Sequence, residues 1–229
     1  MRIVVVIPAF HESARVGAVV AGARPRVERV YVVDDGSRDG TAEAARAARA
    51  EVLVHETNRG KGAALATGFA AALAAGFDAV VTLDADGQHD PNEIPKLAAA
   101  AETADVVVGC RMTDPSGMPL VRRWTNRFMS WVISKLAGRR IRDSQSGYRL
   151  FRRAVLERVT LDTAHFESES QILIRACRAG FRLAEVPVRV IYGAEKSKIR
   201  PARDTLRFFR FVIREIRWIR RNGKWGNGE

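Results

Sequence analysis

Cysteine is nearly missing from this chain: Cys110 and Cys177 are the only two in 229 residues. That excludes a disulfide framework and reads as two small buried thiols in a reducing cytoplasm. No run approaches the eighteen or so consecutive apolar residues that a spanning helix needs, because Asp, Gly or Arg breaks every greasy segment. The chain is therefore not expected to cross a membrane by itself. The opening apolar stretch from Ile3 to Phe10 is short, interrupted by Pro8 and followed by His11 and Glu12, so it reads as a buried strand and not a signal peptide. There is no internal repeat and no low-complexity linker. Histidine offers little either. His11 and His89 have no partner at metal-ligand spacing, and His55 and His165 look like strand-end or loop residues. Acidic charge is in deficit, 26 Asp and Glu against 38 Lys and Arg, for a net charge of +12. Such an excess favours nucleic acid, anionic lipid or phosphorylated substrates over neutral ones.

The 47% of hydrophobic residues is enough to bury one sizeable core, and the length argues for a single domain. Short Val/Ile runs at 3 to 7, 29 to 33, 51 to 54, 79 to 83 and 105 to 109 alternate with Ala-rich helical stretches. This α/β alternation predicts a mostly parallel central sheet flanked by helices, which buries both sheet faces and makes the strands continuous apolar runs. From Arg111 the pattern changes. A basic helix is expected from Pro119 to Leu136, a loop through Asp143 to Arg149, a helix from Glu167 to Ala179 and a strand from Leu183 to Tyr192. The expected division is one domain over 1–201, with a first half 1–110 and a second half 111–201, then an amphipathic helix 202–221 and a flexible tail 222–229.

In parallel sheets ligands bind beyond the carboxyl ends of the strands, so the residues that follow each run are where chemistry is sought. After the second run stands Val33-Asp34-Asp35-Gly36-Ser37, an acidic turn suited to a ribose or a base N–H, or simply a turn with a helix cap. After the fourth run stands Asp84-Ala85-Asp86-Gly87-Gln88. If the backbone stays extended, Asp84 and Asp86 point to one side. Two hard oxygen ligands there suit Mg²⁺ or Mn²⁺ shared with substrate phosphates. The loop Asn58-Arg59-Gly60-Lys61-Gly62 precedes a helix, where its amides meet a phosphate or serve a packing turn; it matches neither the phosphate-loop nor the dinucleotide pattern.

Taken in order, these motifs resemble the dolichol-phosphate mannosyltransferase-like branch of the family 2 glycosyltransferases. The resemblance runs from Ile3 to about Ile199. It adds Ile7-Pro8-Ala9-Phe10 with Glu12, Gly109 with Arg111, Asp143 with Ser146-Gly147-Tyr148-Arg149, and Lys196-Ser197-Lys198-Ile199. It implies a GT-A fold, inversion at the anomeric carbon, a nucleotide-sugar donor and a polyprenyl-phosphate acceptor. Pro8, Phe10, Glu12, Val33 and Asp35 would line the nucleoside pocket, with Lys61 and Ala85 beside the donor. Asp84, Asp86 and Gln88 would hold the metal and diphosphate, while Arg111 and Lys198 would meet phosphate. Relatives of the mannosyltransferase type carry Arg six positions before the last motif Lys, where this chain has Tyr192, so GDP-mannose and a UDP-hexose both stay open as donor.

A phosphate monoester, with a second pKa near 6, is already ionised at neutral pH and needs no general base. It needs cations, and Arg111, Arg122, Arg123, Arg127 and Lys198 supply them. A soluble hydroxyl acceptor would instead require a base such as Asp143 or Glu167. A nucleic-acid-binding role is disfavoured, since acidic pairs occupy the strand ends where a polyanion would lie. In the last helix, Arg203, Arg207, Arg210, Arg214, Arg217 and Arg221 form one basic stripe, with Phe208, Phe209, Val212, Ile213, Ile216 and Ile219 over much of the rest. Phe211 and Trp218 fall beside the stripe. Peripheral attachment to the inner face of the cell membrane is the expectation, through this helix and the one from Pro119 to Leu136.

Overall fold

Runs of β-branched residues build the centre of the sheet. In the computed structural model, which describes residues 1–114, 118–162, 167–191 and 201–222, with side chains from Arg207 onward in the last segment, β1 (Ile3–Ala9) lies between two parallel neighbours. These are β2 (Arg29–Asp34) and β4 (Ala79–Thr82), and β2 pairs in turn with β3 (Glu51–Val54). Beyond β4 the sheet continues through β6 (Arg149–Arg152), β5 (Val106–Cys110) and β7 (Leu183–Pro187), giving the order β3-β2-β1-β4-β6-β5-β7 among the described residues. Only β6 runs antiparallel to its neighbours.

Successive β1 residues enter opposite cores. Val4 and Val6 pack toward α3 (Lys61–Ala74), α5 (Leu120–Ala137) and α7 (Glu167–Arg178), with α6 (Arg153–Arg158) set against α3 on the same side. Val5 and Ile7 pack toward α1 (Val16–Ala23), α2 (Thr41–Ala47) and α4 (Ile94–Ala100). All four are fully buried, each contributing about 1.5–3 kcal/mol. The mostly parallel, doubly covered sheet is thus as the sequence implies. Since β5 pairs with both β6 and β7, one sheet spans the expected division at residue 110.

Three boundaries differ from expectation. The stretch taken as loop up to Arg149 turns directly into β6, a strand of four residues whose outer members are arginines and whose apolar signal is too short to register. The last strand ends at Pro187 instead of Tyr192; beyond it the Val188 amide still donates to the Cys110 carbonyl at 3.2 Å, and Val190 bridges to His89. The fourth run ends at Thr82, so Asp84 to Gln88 form a turn around Gly87 at φ +78° and the extended geometry imagined for the two aspartates is not adopted.

The terminal helix α8 (Pro201–Asn222) is docked on the body. Phe211 and Glu215 lie on its buried face, and Phe211 is both a core residue and a neighbour of the arginine stripe, with the Arg214 guanidinium 5.7 Å from its ring centre. Gln171 Nε2 donates to Glu215 Oε1 at 2.8 Å, Arg175 Nη2 sits 3.3 Å from the same oxygen, and the Arg175 guanidinium lies 4.7 Å from the Trp218 ring centre. Arg210, Arg214, Arg217 and Arg221 remain exposed. Among the described residues no helix is long and apolar enough to cross a membrane. Both cysteines are free; burial pushes the Cys177 thiol up to about 11 and raises that of Cys110.

Candidate active site

At the carboxyl end of β4 the chain turns, and the cation that meets Asp84 is the protein's own Lys61. The Lys61 ammonium lies 2.6 Å from Asp84 Oδ1 and 3.1 Å from Glu169 Oε2 on α7. Burial alone would pull this lysine's pKa down, but the two carboxylates outweigh it and hold the ammonium raised. Burial likewise works against ionised Asp84, and the Lys61 ammonium beside it more than offsets this, so Asp84 is held well below the ordinary carboxylate range. His89 is buried, and its desolvation lowers it to about 4. Its Nδ1 accepts the Asp84 amide at 3.3 Å, which identifies a neutral ring with the proton on Nε2.

Gly147 makes room for this cluster. A Cβ at that position would stand 2.7 and 2.9 Å from the two Asp84 carboxylate oxygens. The motif around Gly147 is a floor: Thr82 Oγ1 donates to the Gly147 carbonyl at 2.7 Å, Tyr148 Oη to the Asp90 carbonyl at 3.1 Å, and the buried Arg149 to the carbonyls of Ser146, Ser144 and Glu169. Asp86 Oδ1 accepts the Gln88 amide at 3.0 Å, and Asp84, Asp86 and Gln88 are all half-buried while Ala85 is buried. Two carboxylates and a side-chain amide are the donor types taken by a hard cation of the Mg²⁺ or Mn²⁺ type, whose other ligands are water and substrate oxygens, and Gly147 leaves room beside Asp84.

The end of β2 is organised by Asp35. Its carboxylate accepts the Arg59 amide at 2.9 Å, the Gly60 amide at 2.7 Å and the His55 ring nitrogen Nδ1 at 2.7 Å. His55 Nε2 contacts Thr67 Oγ1 at 3.0 Å. The Asn58–Gly62 loop is therefore a packing turn that starts α3 and sends Lys61 into the site, with the Arg59 and Gly60 amides occupied by Asp35 instead of a phosphate. Gly36, at φ +79°, lets Thr57 and Asn58 approach to within 2.6–2.9 Å of where a Cβ would lie. Phe10 is 39% exposed just past β1, beside His11, whose φ of +54° bends the chain sharply. Pro8 is half-buried, and Glu12 is buried with its carboxylate 3.1 Å from Arg15 Nη1. Val33 is fully buried in the core against α3 and presents no side-chain surface to a ligand, which corrects its expected place in the pocket.

After β5, Arg111 is buried against Asp143. Its Nε and Nη2 donate to the two carboxylate oxygens at 2.8 Å each, its amide donates at 2.9 Å, and Asn126 Nδ2 from α5 adds a further bond at 2.9 Å. Burial works against the ionised form of Asp143, yet these donors hold it below its ordinary value. The Arg111 charge also lowers the pKa of Asp84 and of His89. Arg123 is half-buried; Arg127 is exposed, with its guanidinium 5.7 Å from the Trp124 ring centre. Lys198 and Tyr192 lie outside the described residues. Three participants were missed in the sequence: Glu169, His55 and Asn126. None carries a local signal, since each gains its part only from a partner brought near by the fold.

The model of the family described as glycosyl transferase family 2 matches residues 4–160. The chain is 33% identical over 205 residues to an undecaprenyl-phosphate mannosyltransferase of Micrococcus luteus, covering 83% of this chain and 84% of that one. It is 32% identical over 215 residues to a UDP-N-acetylglucosamine–dolichyl-phosphate N-acetylglucosaminyltransferase of Methanococcus voltae, covering 83% and 86%. Among solved structures it resembles glucosyl-3-phosphoglycerate synthase of Mycobacterium tuberculosis, in a complex with uridine diphosphate, with a TM-score of 0.72, 24% identity, and 99% and 82% of the two chains covered. At that identity the likeness speaks for the fold, which is the GT-A type.

Proposed function

Starting from the fact that this chain belongs to glycosyl transferase family 2, we propose that it is an inverting enzyme that moves a hexose from a nucleotide diphosphate-sugar to a polyprenyl phosphate. The observation that carries the acceptor assignment is the state of Asp143. A general base for a hydroxyl acceptor must have a lone pair in reach of that hydroxyl. Asp143 is fully buried, and its oxygens accept from the Arg111 fork, the Arg111 amide and Asn126. It is a positioning group for a guanidinium. A buried arginine beside the donor-binding turn suits an acceptor that arrives already ionised. The Micrococcus and Methanococcus relatives are both named for lipid-phosphate acceptors, and they differ in donor sugar, so the sugar of this chain is left open.

In this reading Phe10, Pro8 and Glu12 face the nucleoside, and Asp35 shapes the loop beneath it. Asp84, Asp86 and Gln88 hold a divalent cation with the diphosphate, and Lys61 keeps Asp84 ionised and oriented. A bound cation would neutralise the charge that develops on the departing nucleotide diphosphate. Arg111, with Lys198, positions the acceptor phosphate, and an oxygen of that phosphate attacks the anomeric carbon as the bond to the nucleotide diphosphate breaks. The first half, 1–110, handles the donor and the second half the acceptor. The enzyme works at the inner face of the cell membrane without spanning it, consistent with its free thiols and the exposed arginines of α8.

A panel of nucleotide sugars offered with a short-chain polyprenyl phosphate tests this, scoring lipid-linked sugar and released nucleotide diphosphate together. The rate should fall below about pH 6 as the acceptor phosphate protonates. Equal transfer to the dephosphorylated polyprenol would overturn the assignment.

A further inference from the structure

Helix α5 faces the site with one side and leaves the other uncovered. Leu120, Val121, Trp124, Phe128 and Trp131 are 70%, 80%, 69%, 53% and 58% exposed, five of the eleven large hydrophobic residues exposed among the described residues. At 100° per residue they fall within one arc of about 100°. The Phe128 and Trp131 rings stack with centres 6.3 Å apart. Arg123 and Arg127 border the arc, Arg122 lies beyond it, and Lys135 ends it, while the helix contains no Asp or Glu. By contrast α8 has committed its apolar face to the body and, among its described side chains, exposes only Phe209 and Ile213 as large hydrophobics.

We propose that α5 is the element that enters the membrane, with its Leu120-to-Trp131 ridge seated at the headgroup–acyl boundary of an anionic bilayer and its arginines at the lipid phosphates. Charge decides the occupant. A second copy docked ridge to ridge would bring two sets of cations together with no acid on either helix to offset them. A bilayer offers apolar depth under a negative surface, and tryptophan is enriched at that boundary. The inner side of the same helix carries Asn126, which holds Asp143, and Ser130, whose Oγ accepts the Ser144 amide at 2.9 Å. Resting on the lipid-phosphate reading above, this places the lipid surface and the acceptor-phosphate arginine on opposite sides of one rigid helix. The α8 stripe then supplies attraction by charge, and α5 supplies insertion.

The test is co-sedimentation of the whole chain with phosphatidylcholine vesicles containing rising fractions of phosphatidylglycerol. Quenching of tryptophan by lipids brominated on the acyl chain gives the depth. Trp124→Glu/Phe128→Glu/Trp131→Glu should lower vesicle affinity by about tenfold or more and abolish quenching. Arg210→Gln/Arg214→Gln should weaken binding by only about two- to threefold, mainly at low salt. The triple variant should keep its circular dichroism and its transfer to a short, water-soluble prenyl phosphate without vesicles. If it does not fold, the quenching profile of the unaltered protein decides alone, and no quenching overturns the proposal. Unchanged vesicle binding by a folded triple variant also overturns it. So does a wild-type dimer that the triple variant converts to monomer, or capture by an acidic protein with no vesicle binding. Transfer to the soluble acceptor without vesicle binding refutes the α5 proposal and leaves the transfer reading standing. Vesicle binding through the ridge with no transfer does the reverse.

Discussion

Arg111 and Asp143 stand 32 residues apart in sequence and are joined in the structure by two parallel hydrogen bonds of 2.8 Å, with the carboxylate wholly buried. The pair ties the end of β5 to the loop that leads into β6, and Asn126 ties both to α5. Neither group is independent of the other: the carboxylate cancels the charge that makes the arginine costly to bury, and the fork sets the direction of the guanidinium.

Removing one partner of such a pair strands the other. Asp143→Asn should cost about 3–5 kcal/mol, a fall in Tm of about 6–20 °C for a chain of this size. Arg111→Lys keeps the charge and loses the fork, so it should raise the KM for the acceptor more than that for the donor. A stable Asp143→Asn variant with a normal acceptor KM would remove the positioning role.

Gly147→Ala tests the room beside Asp84. The added methyl would meet carboxylate oxygens that Lys61 already holds at 2.6 Å, so Asp84 must move by a few tenths of an ångström or more. Activity should fall by about a hundredfold, while overpacking lowers stability by about 1–3 kcal/mol. Wild-type turnover in this variant would show that Asp84 tolerates displacement.

Asp86→Ala should abolish turnover and leave the fold intact. Chelator should stop the wild-type enzyme, and Mg²⁺ or Mn²⁺ should restore it. As a readout apart from activity, the rise in Tm caused by nucleotide diphosphate plus Mg²⁺ should be lost in the variant. Full activity in excess chelator would eliminate the metal assignment.

His55→Ala leaves Asp35 Oδ1 without its ring donor and Thr67 without a partner at that ring, at a cost of about 1–3 kcal/mol. Because Asp35 also holds the Arg59 and Gly60 amides, the donor KM should rise several-fold, and His55→Asn, which restores a donor on the Asp35 side, should recover most of it. Equal donor affinity in all three proteins would make the histidine a packing residue only.

The amino-acid sequence by itself determined the alternation of strands and helices, the single sheet with both faces buried, and the polar strand ends where Asp35, Asp84, Asp86 and Arg111 stand. Local regularities carry all of these: valine runs spell buried strands, and the acidic residues that follow them mark the turns at their ends. The tertiary structure alone decided what each charged group meets. It gave Asp84 the ammonium of Lys61, gave Lys61 a second carboxylate from Glu169, and assigned Asp35 to the Arg59 and Gly60 amides. It also divided the two basic helices, burying Glu215 and Phe211 of α8 while leaving the tryptophans of α5 uncovered. Both helices show the same mixture of arginine and apolar residues. Which face is covered depends on what the fold sets against it, and a periodic pattern records only that two faces exist.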